Sequence, residues 1–146
     1  MSGRLEAIWL KRERGAPMNA VTQVTAEAGG GLSGDANFGR TRRQVTLIEK
    51  EVFEALNDEF GKSIDPAVRR ANLMVSGVRL ADTRDRRIRI GDCVLRIRGE
   101  TRPCTLMEDA LTGLRDALDP DWRGGVFCTV LSDARMRVGD AVSWED

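Results

Sequence analysis

Histidine is absent from the 146-residue sequence, and this absence excludes several kinds of site. Zinc sites with imidazole ligands, Ser-His-Asp triads and Cys-His pairs all need at least one histidine. Catalysis by this chain would therefore use cysteine, a carboxylate, arginine, lysine or a bound cofactor. Lysine is scarce as well, since it occurs only at Lys11, Lys50 and Lys62. Arginine carries almost all of the positive charge, and its planar guanidinium suits phosphate and carboxylate groups, although GC-rich codon usage would produce the same bias.

Long apolar runs and a net charge are also missing. No apolar run approaches the roughly 20 residues that span a bilayer, and residues 1–14 lack the apolar core and cleavage site of a signal peptide. These observations predict a cytoplasmic protein with no membrane partner. Acidic and basic residues number 23 each, whereas nucleic-acid-binding proteins usually carry a basic excess, so we expect no nucleic-acid partner. Nothing in the sequence indicates an oligomeric state.

The distribution of β-branched and alternating apolar residues predicts a single, mainly β domain over residues 1–146. The composition is that of an ordinary globular protein, with 41% hydrophobic and 32% charged residues. The clearest signal runs from Arg87 to Arg98, where two alternating segments flank Gly91-Asp92 in a pattern typical of a hairpin. Further strands are predicted at Arg4–Leu10, Val21–Ala26, Arg43–Ile48 and Gly125–Leu131, with two short strands between Arg135 and Trp144.

Helical spacing is found in two places. Apolar residues between Val52 and Phe60 recur at the period of a helix, and Gly61 is placed to end it. Residues 106–118 show a weaker helical pattern. The sequence lacks the regular alternation of strands and helices that is typical of a parallel α/β sheet. We therefore predict a β-barrel or rolled sheet with two or three helices packed outside it.

Among the three cysteines, Cys104 has the local sequence of a functional thiol. An odd number of cysteines without a secretory context predicts free thiols. Cys93 and Cys128 lie in apolar strand segments and are expected to be buried. Cys104 follows a strand end and Pro103, with Arg102 close by in sequence. Nearby cations favour the thiolate, which is both a nucleophile and a ligand for soft metals, although an ordinary loop cysteine fits the local sequence equally well.

Two further features are candidates for anion binding. The glycine-rich segment Gly29–Asp35 lacks the lysine of a Walker A motif, yet its backbone N–H groups could bind a phosphate or the edge of a pterin. Four glycines in six residues predict a loop with no regular element, and a flexible surface loop without a ligand is an equally good interpretation. Arginines near glycines or near Cys104 would form an anion pocket if they converge, whereas a solvated position is the simpler interpretation of any single one. These arginines are Arg40, Arg42, Arg43, Arg69, Arg70, Arg98, Arg102 and Arg123.

Seven short motifs occur in an order that is typical of one family. They are Gly31-Leu32-Ser33-Gly34-Asp35, Arg43-Gln44-Val45-Thr46-Leu47-Ile48-Glu49, Arg70-Ala71-Asn72-Leu73, Ile90-Gly91-Asp92, Pro103-Cys104, Arg123-Gly124-Gly125-Val126 and Val138-Gly139-Asp140. Each motif alone is weak, but seven in the same order are specific. The sequence resembles the MOSC domain family, named for the C-terminal domain of molybdenum cofactor sulfurase, as a small stand-alone member.

The resemblance implies a β-barrel with peripheral helices and makes Cys104 the cysteine of the family. In the amidoxime-reducing branch, that cysteine ligates molybdenum in a pyranopterin cofactor, molybdopterin, while arginines and an asparagine hold the pterin and its phosphate. By position, the cofactor-binding residues would be Arg42, Arg70, Asn72, Arg102, Gly34 and Asp35. The first hypothesis is therefore a molybdenum-cofactor-binding domain that supports reduction of N-oxygenated substrates.

The resemblance also leaves other roles open. In a second hypothesis, Cys104 accepts persulfide sulfur from a pyridoxal-phosphate-dependent cysteine desulfurase for the assembly of a metal–sulfur cofactor. A cofactor-storage domain without turnover is a third. The chain departs from the family in two ways: Asn37 lies in a segment where many small members carry histidine, and the ferredoxin and N-terminal barrel domains of longer relatives are missing. A molybdenum-dependent oxidoreductase of this kind would need an electron-transfer protein as partner, whereas a sulfur transferase would need the desulfurase.

Overall fold

The computed structural model describes residues 3–145. Strands, three α-helices and two short 3₁₀ turns make up this part of the chain. The strands are β1 (Gly3–Leu10), β2 (Asn19–Val21), β3 (Gln23–Glu27), β4 (Gly31–Leu32), β5 (Val45–Glu49), β6 (Leu73–Ser76), β7 (Arg87–Ile90), β8 (Cys93–Glu100), β9 (Val126–Val130), β10 (Ala134–Arg137) and β11 (Ala141–Trp144). The helices are α1 (Lys50–Phe60), α2 (Thr105–Ala110) and α3 (Leu114–Leu118), and the 3₁₀ turns are Pro66–Arg69 and Pro120–Trp122.

Seven strands form a closed barrel in the order β1-β11-β7-β8-β9-β5-β6, and β6 pairs with β1 again. The seam between the first and last strands is antiparallel, with Gly3 opposite Val142 and Arg4 opposite Ala141. Strand β2 adds to β1 outside the ring, and β10, β3 and β4 form a separate three-stranded sheet. The predicted mainly β fold with peripheral helices is thereby confirmed.

The hairpin of β7 and β8 shows how the sequence pattern produces the barrel wall. In β8, buried residues alternate with partly exposed ones along the whole strand, because successive side chains of a strand point to opposite faces. Ile88 lies opposite Leu95 and Ile90 opposite Cys93, all of them buried in the barrel core. The turn passes through Gly91 at a φ of 59°, a left-handed conformation that glycine adopts without steric cost.

Helix α1 connects the only parallel neighbours among the paired strands of residues 3–145, β5 and β6. Parallel strands need a crossover connection, and α1 provides it, ending at Gly61 with a φ of 64°. Its buried face packs on a second apolar cluster outside the barrel. That cluster contains Trp9, Ile48, Phe53, Leu56, Ile64, Ala71, Met107, Leu114 and Leu118. None of the helices in the described chain has the length and apolar composition of a membrane span.

Two local predictions were wrong. The segment Val21–Ala26, expected to be one strand, is divided at Thr22 into β2 and β3, which belong to different sheets. The segment Gly29–Asp35, expected to contain no regular element, includes the two-residue strand β4. Backbone pairing of β4 with β3 places Leu32 opposite Ala26 and buries both side chains, so burial of Leu32 outweighs the weak β preference of the glycines.

Candidate cofactor site at Cys104

Cys104 lies in the short connection between β8 and α2. Pro103 is buried, whereas Cys104 beside it is exposed. The backbone of Cys104 is extended, and its carbonyl accepts a hydrogen bond from the N–H of Met107 at 3.0 Å in the first turn of α2. Since Met107 is itself buried in the outer apolar cluster, α2 is anchored there. The thiol is therefore presented to solvent from a well-supported backbone.

The other two thiols are buried in the barrel, as predicted. Cys93 and Cys128 are both 0% exposed. Burial raises the pKa of Cys93 to about 11, and burial also raises the pKa of Cys128, with a smaller contribution from the charge of Cys93. Because the thiolate is the reactive form of cysteine, these two side chains are poor nucleophiles and poor metal ligands. Cys104 is left as the cysteine available for chemistry.

Arg69 joins the Cys104 connection to the rest of the site. Its Nε donates to the Gly124 carbonyl at 3.0 Å, and its Nη2 donates to the carbonyls of Thr101 at 3.0 Å and Arg102 at 3.4 Å. Burial, with a smaller contribution from the charge of Arg43 and a partly opposing one from Cys104, lowers the pKa of this guanidinium to about 10. A buried arginine thus binds the backbone just before Cys104 and ties it to the loop at Gly124.

Arg43 is the second cation coupled to Cys104. It comes just before β5, and desolvation together with the charge of Arg40 lowers its pKa, whereas the charge of Cys104 raises it. Arg43 makes no hydrogen bond or ion pair with the described residues. No carboxylate of residues 3–145 contributes to the pKa of either guanidinium. The site therefore has more positive than negative charge.

A small pocket opens between these cations. It encloses only about 10 Å³, room for about one water molecule, far less than the roughly 300–1,000 Å³ of pockets that enclose drug-sized ligands. A phosphate or another oxyanion would therefore lie at its mouth, against the arginines. Any larger ligand with its phosphate here would extend over the surface. The lining residues are Arg43, Thr46, Arg69, Arg70, Ala71, Thr101 and Gly124.

Two adjacent glycines allow backbone segments to pack closely against each other in the pocket wall. A side chain at Gly124 would place its Cβ 2.3 Å from the carbonyl oxygen of Thr101, and one at Gly125 would lie 2.1 Å from that of Leu47. Gly125 also has a φ of 98°. The Gly124 carbonyl accepts a second hydrogen bond, from the Thr101 hydroxyl at 2.7 Å. These close approaches explain why the site needs glycine at both positions.

Asp35 and Asn72, both predicted site residues, form a buried polar core beneath the pocket. Asp35 accepts from the backbone N–H groups of Lys11 at 3.0 Å and Asn37 at 3.1 Å. The Asn72 amide donates to the Trp9 carbonyl and to Asp35, each at 3.2 Å. Each polar atom of these two side chains already has a hydrogen-bond partner within the protein, and their exposures are only 5% and 2%. Their predicted contact with a cofactor stays a prediction, and the structure gives them a supporting position.

Residues 34, 42, 70 and 102 complete the predicted set. Arg70 lines the pocket and donates to the Ala16 carbonyl. Arg42 is exposed, and its guanidinium lies 6.0 Å from the centre of the Phe127 ring. Arg102 is exposed and paired with Asp119 at 3.2 Å. Gly34 is an exposed turn residue. Thus Arg70 reaches the pocket, whereas the other three lie outside its lining.

Sequence reasoning did not select Arg43, Arg69 and Thr101 as site residues. The two arginines were named only among the candidate anion-binding arginines, whereas the resemblance assigned their neighbours Arg42 and Arg70 to the cofactor by position. The position of Arg43 was informative: it is the first residue of the predicted strand Arg43–Ile48, so it lies at the barrel rim. For Arg69 and Thr101 the sequence carried no such signal, because their meeting depends on Gly124 from a distant segment.

The donor set fits a cofactor that brings its own metal ligands. Residues 3–145 contain no group of three or more histidine, cysteine or acidic side chains that could hold a metal ion. A metal bound to Cys104 would therefore take its remaining ligands from outside the protein. An exposed cysteine, which offers a soft sulfur ligand, beside a pocket lined by arginines is chemically compatible with a metal–pterin phosphate lying across its mouth.

The sequence pattern of the MOSC domain matches residues 33–143 of the chain. The chain belongs to the MOSC domain family. This family is linked to molybdenum-cofactor binding and to sulfurase-type roles. No protein of curated function matches the sequence.

Three solved structures show the same fold. YuaD from Bacillus subtilis is 19% identical, with 97% of this chain and 94% of YuaD covered and a TM-score of 0.83. YiiM from Geobacillus stearothermophilus is 13% identical, covering 99% of this chain and 75% of YiiM at a TM-score of 0.79. YiiM from Escherichia coli is 15% identical, covering 98% and 70% at a TM-score of 0.72. Identities this low establish a shared MOSC fold and nothing about activity.

Proposed function

We propose that this MOSC domain binds the molybdenum cofactor, with Cys104 as the protein's thiolate ligand to the metal. The observation that carries the proposal is an exposed thiol next to a cationic pocket. Cys104 is the exposed thiol, and Arg69, which lines the pocket, donates hydrogen bonds to the two carbonyls just before Pro103-Cys104. A pocket with surplus positive charge next to a soft ligand suits an anionic metal cofactor.

In this proposal the residues of the chain bind the cofactor and orient it. Arg43, Arg69 and Arg70 hold the phosphate at the mouth of the small pocket, which fixes the cofactor's position relative to the thiol. Arg42 and Arg102, exposed at the rim, are expected to contact the parts of the ligand that extend over the surface. Asp35 and Asn72 keep Lys11 and Thr46 in place beneath. The cofactor, when bound, supplies the two-electron redox chemistry, and electrons for reducing an N–O bond come from a partner protein.

The test is metal loading of the purified protein. The chain is expressed in a host that makes the cofactor, and molybdenum content and pterin fluorescence are measured for the wild type, Cys104→Ser and Cys93→Ser. We expect molybdenum and pterin in the wild type and in Cys93→Ser, because Cys93 is buried away from the pocket. Loss of molybdenum is expected in Cys104→Ser alone. A wild-type protein that holds neither metal nor pterin would refute the proposal.

Exposure of the thiol also favours a second candidate, a sulfur carrier. Leu106, two residues after Cys104, is 54% exposed, so a partner protein can approach this face. The Cys104 thiolate would attack the terminal sulfur of a desulfurase persulfide. The new bond forms between the two sulfurs, the old S–S bond breaks, and the desulfurase cysteine leaves as a thiolate.

Mass spectrometry separates the two candidates. After incubation with a cysteine desulfurase and cysteine, a carrier gains the mass of one sulfur atom on the peptide that contains Cys104. Cys104→Ser gains none. A protein that carries molybdenum and takes no sulfur supports cofactor binding, whereas sulfur on Cys93 or Cys128 would contradict the assignment of the site.

A further inference from the structure

Arg69 is an unusual cation for its surroundings. It is 7% exposed, and its hydrogen bonds all go to backbone carbonyls rather than to carboxylates in residues 3–145. A buried charge without a counter-charge is expensive. Burial of the Arg69 charge therefore costs free energy, and the packing of the side chain alone does not explain why a charged residue is present here.

The acceptors of Arg69 are close to the thiol in sequence and in space. Thr101 and Arg102 immediately precede Pro103-Cys104, and their carbonyls take both bonds from Nη2. Gly124 belongs to the loop before β9 and takes the bond from Nε. The guanidinium thus connects the 3₁₀ turn Pro66–Arg69 to both loops that border the site. Removing it would free the connection that carries Cys104.

We propose that Arg69 is a positioning residue for Cys104, which holds the connection that carries the thiol and places a fixed positive charge beside the sulfur. The proposal rests on the function proposed above, in which Cys104 is the reactive group. The proposal predicts a charge selectivity of the thiol: Cys104 reacts with anionic partners in preference to neutral ones. Arg43 adds to the same field from the barrel rim, but its guanidinium holds no backbone of the Cys104 connection.

Alkylation with two reagents of different charge tests this directly. Iodoacetate and iodoacetamide attack the same sulfur by the same displacement, so any change in thiolate fraction or accessibility cancels in the ratio of their rates. The ratio at Cys104 is measured by peptide-resolved mass spectrometry for the wild type, Arg69→Gln, Arg69→Lys and Arg96→Met. Arg96 is a matched control, because it pairs with Asp85 on the exposed side of the barrel hairpin.

We expect the iodoacetate-to-iodoacetamide ratio to be higher in the folded wild type than in the urea-unfolded chain. Loss of the Arg69 charge in Arg69→Gln should lower the ratio roughly threefold to tenfold, the size expected for one unit charge about 4 Å away in surroundings nearly as polar as water. Lysine keeps the charge but loses the three hydrogen bonds to the backbone. Arg69→Lys should therefore retain most of the ratio while both absolute rates change. Arg96→Met should match the wild type.

Equal ratios in the wild type and in folded Arg69→Gln would overturn the proposal and would show that Arg69 only holds the backbone through its hydrogen bonds. If Arg69→Gln does not fold, Arg69→Lys and the wild type still decide: a wild-type ratio equal to that of the unfolded chain refutes the charge effect. Alkylation uses protein without added cofactor, so it is independent of metal loading. A protein that holds no molybdenum but shows the charge-dependent ratio would defeat the proposed function and leave this inference standing.

Discussion

The side-chain amide of Asn72 donates a hydrogen bond to the carboxylate of Asp35 at 3.2 Å, across 37 positions of the sequence. Through this contact, the glycine-rich turn before β5 is fixed to the start of β6. Asn72 also accepts from the backbone N–H of Thr46 at 3.1 Å, and Thr46 lines the pocket. The floor of the candidate site is therefore a buried network in which each amide atom of Asn72 has a partner.

Replacement of Asn72 by alanine is expected to destabilise the fold. It removes the acceptor of the Thr46 N–H and the donor to Trp9 and Asp35, which leaves buried polar groups unpaired, so the loss should be about 2–4 kcal/mol. Urea denaturation monitored by tryptophan fluorescence measures it. Asn19→Ala, at an exposed position of β2, should change the free energy of unfolding little. A loss as small as that of Asn19→Ala would show that the network contributes no net stability.

Gly124→Ala should damage both stability and the site. The added methyl group would meet the Thr101 carbonyl oxygen at 2.3 Å, and overpacking of this kind costs about 1–3 kcal/mol. Because Thr101 leads into the Cys104 connection, the alkylation rate of Cys104 should change as well. Gly15→Ala is the control, since it has a φ of 81° but nothing within 4 Å of the added atom. It should lose stability through backbone strain and leave the Cys104 rate unaltered.

The three thiols should be distinguishable in the native protein. Iodoacetamide is expected to label Cys104 alone under native conditions and all three cysteines in urea. Cys93 and Cys128 are 0% exposed, and burial raises the pKa of both thiols, so they lack both access and thiolate. Counting labels by mass spectrometry checks this. Native labelling of Cys93 at a rate similar to that of Cys104 would mean that the barrel opens locally at β8.

Glu49 gives the protein a pH-dependent stability. Burial raises the pKa of this carboxyl above its ordinary value of 4.5, with a further contribution from Glu51, while the Leu80 N–H and Arg79 oppose the shift. A raised native pKa means that ionised Glu49 disfavours folding, and that this cost disappears as the pH falls through the native pKa. Glu49→Gln should therefore be more stable than the wild type near pH 7.

The difference between Glu49→Gln and the wild type should shrink toward pH 4, where the native carboxyl is protonated. Thermal unfolding across this range measures it, and Glu54→Gln, at an exposed position of the same helix, is the control. A less stable Glu49→Gln near pH 7 would instead show that the interaction of the carboxylate with the positive end of α1 outweighs desolvation.

The alternating segments of the sequence were enough to predict the barrel wall. The hairpin at Gly91 and the end of α1 at Gly61 both followed the predicted positions, because local periodicity and glycine conformation act within a few residues. The break at Thr22 was not predictable, since it depends on which sheet each half of the segment joins. At the site, Cys104 stood out through its neighbours, whereas Arg69 did not, because its bonds to Gly124 and Thr101 span 55 and 32 positions.

Closure of the barrel between β1 and β11 has a consequence for how the protein is made. The pairing partners of Gly3 and Arg4 are Val142 and Ala141, so the N-terminal part of one edge of the first strand has no partner until almost the whole domain has left the ribosome. An unpaired strand edge is a template for aggregation. Translation speed through the last strand and early binding of a chaperone to the nascent first strand should therefore set the yield of soluble protein.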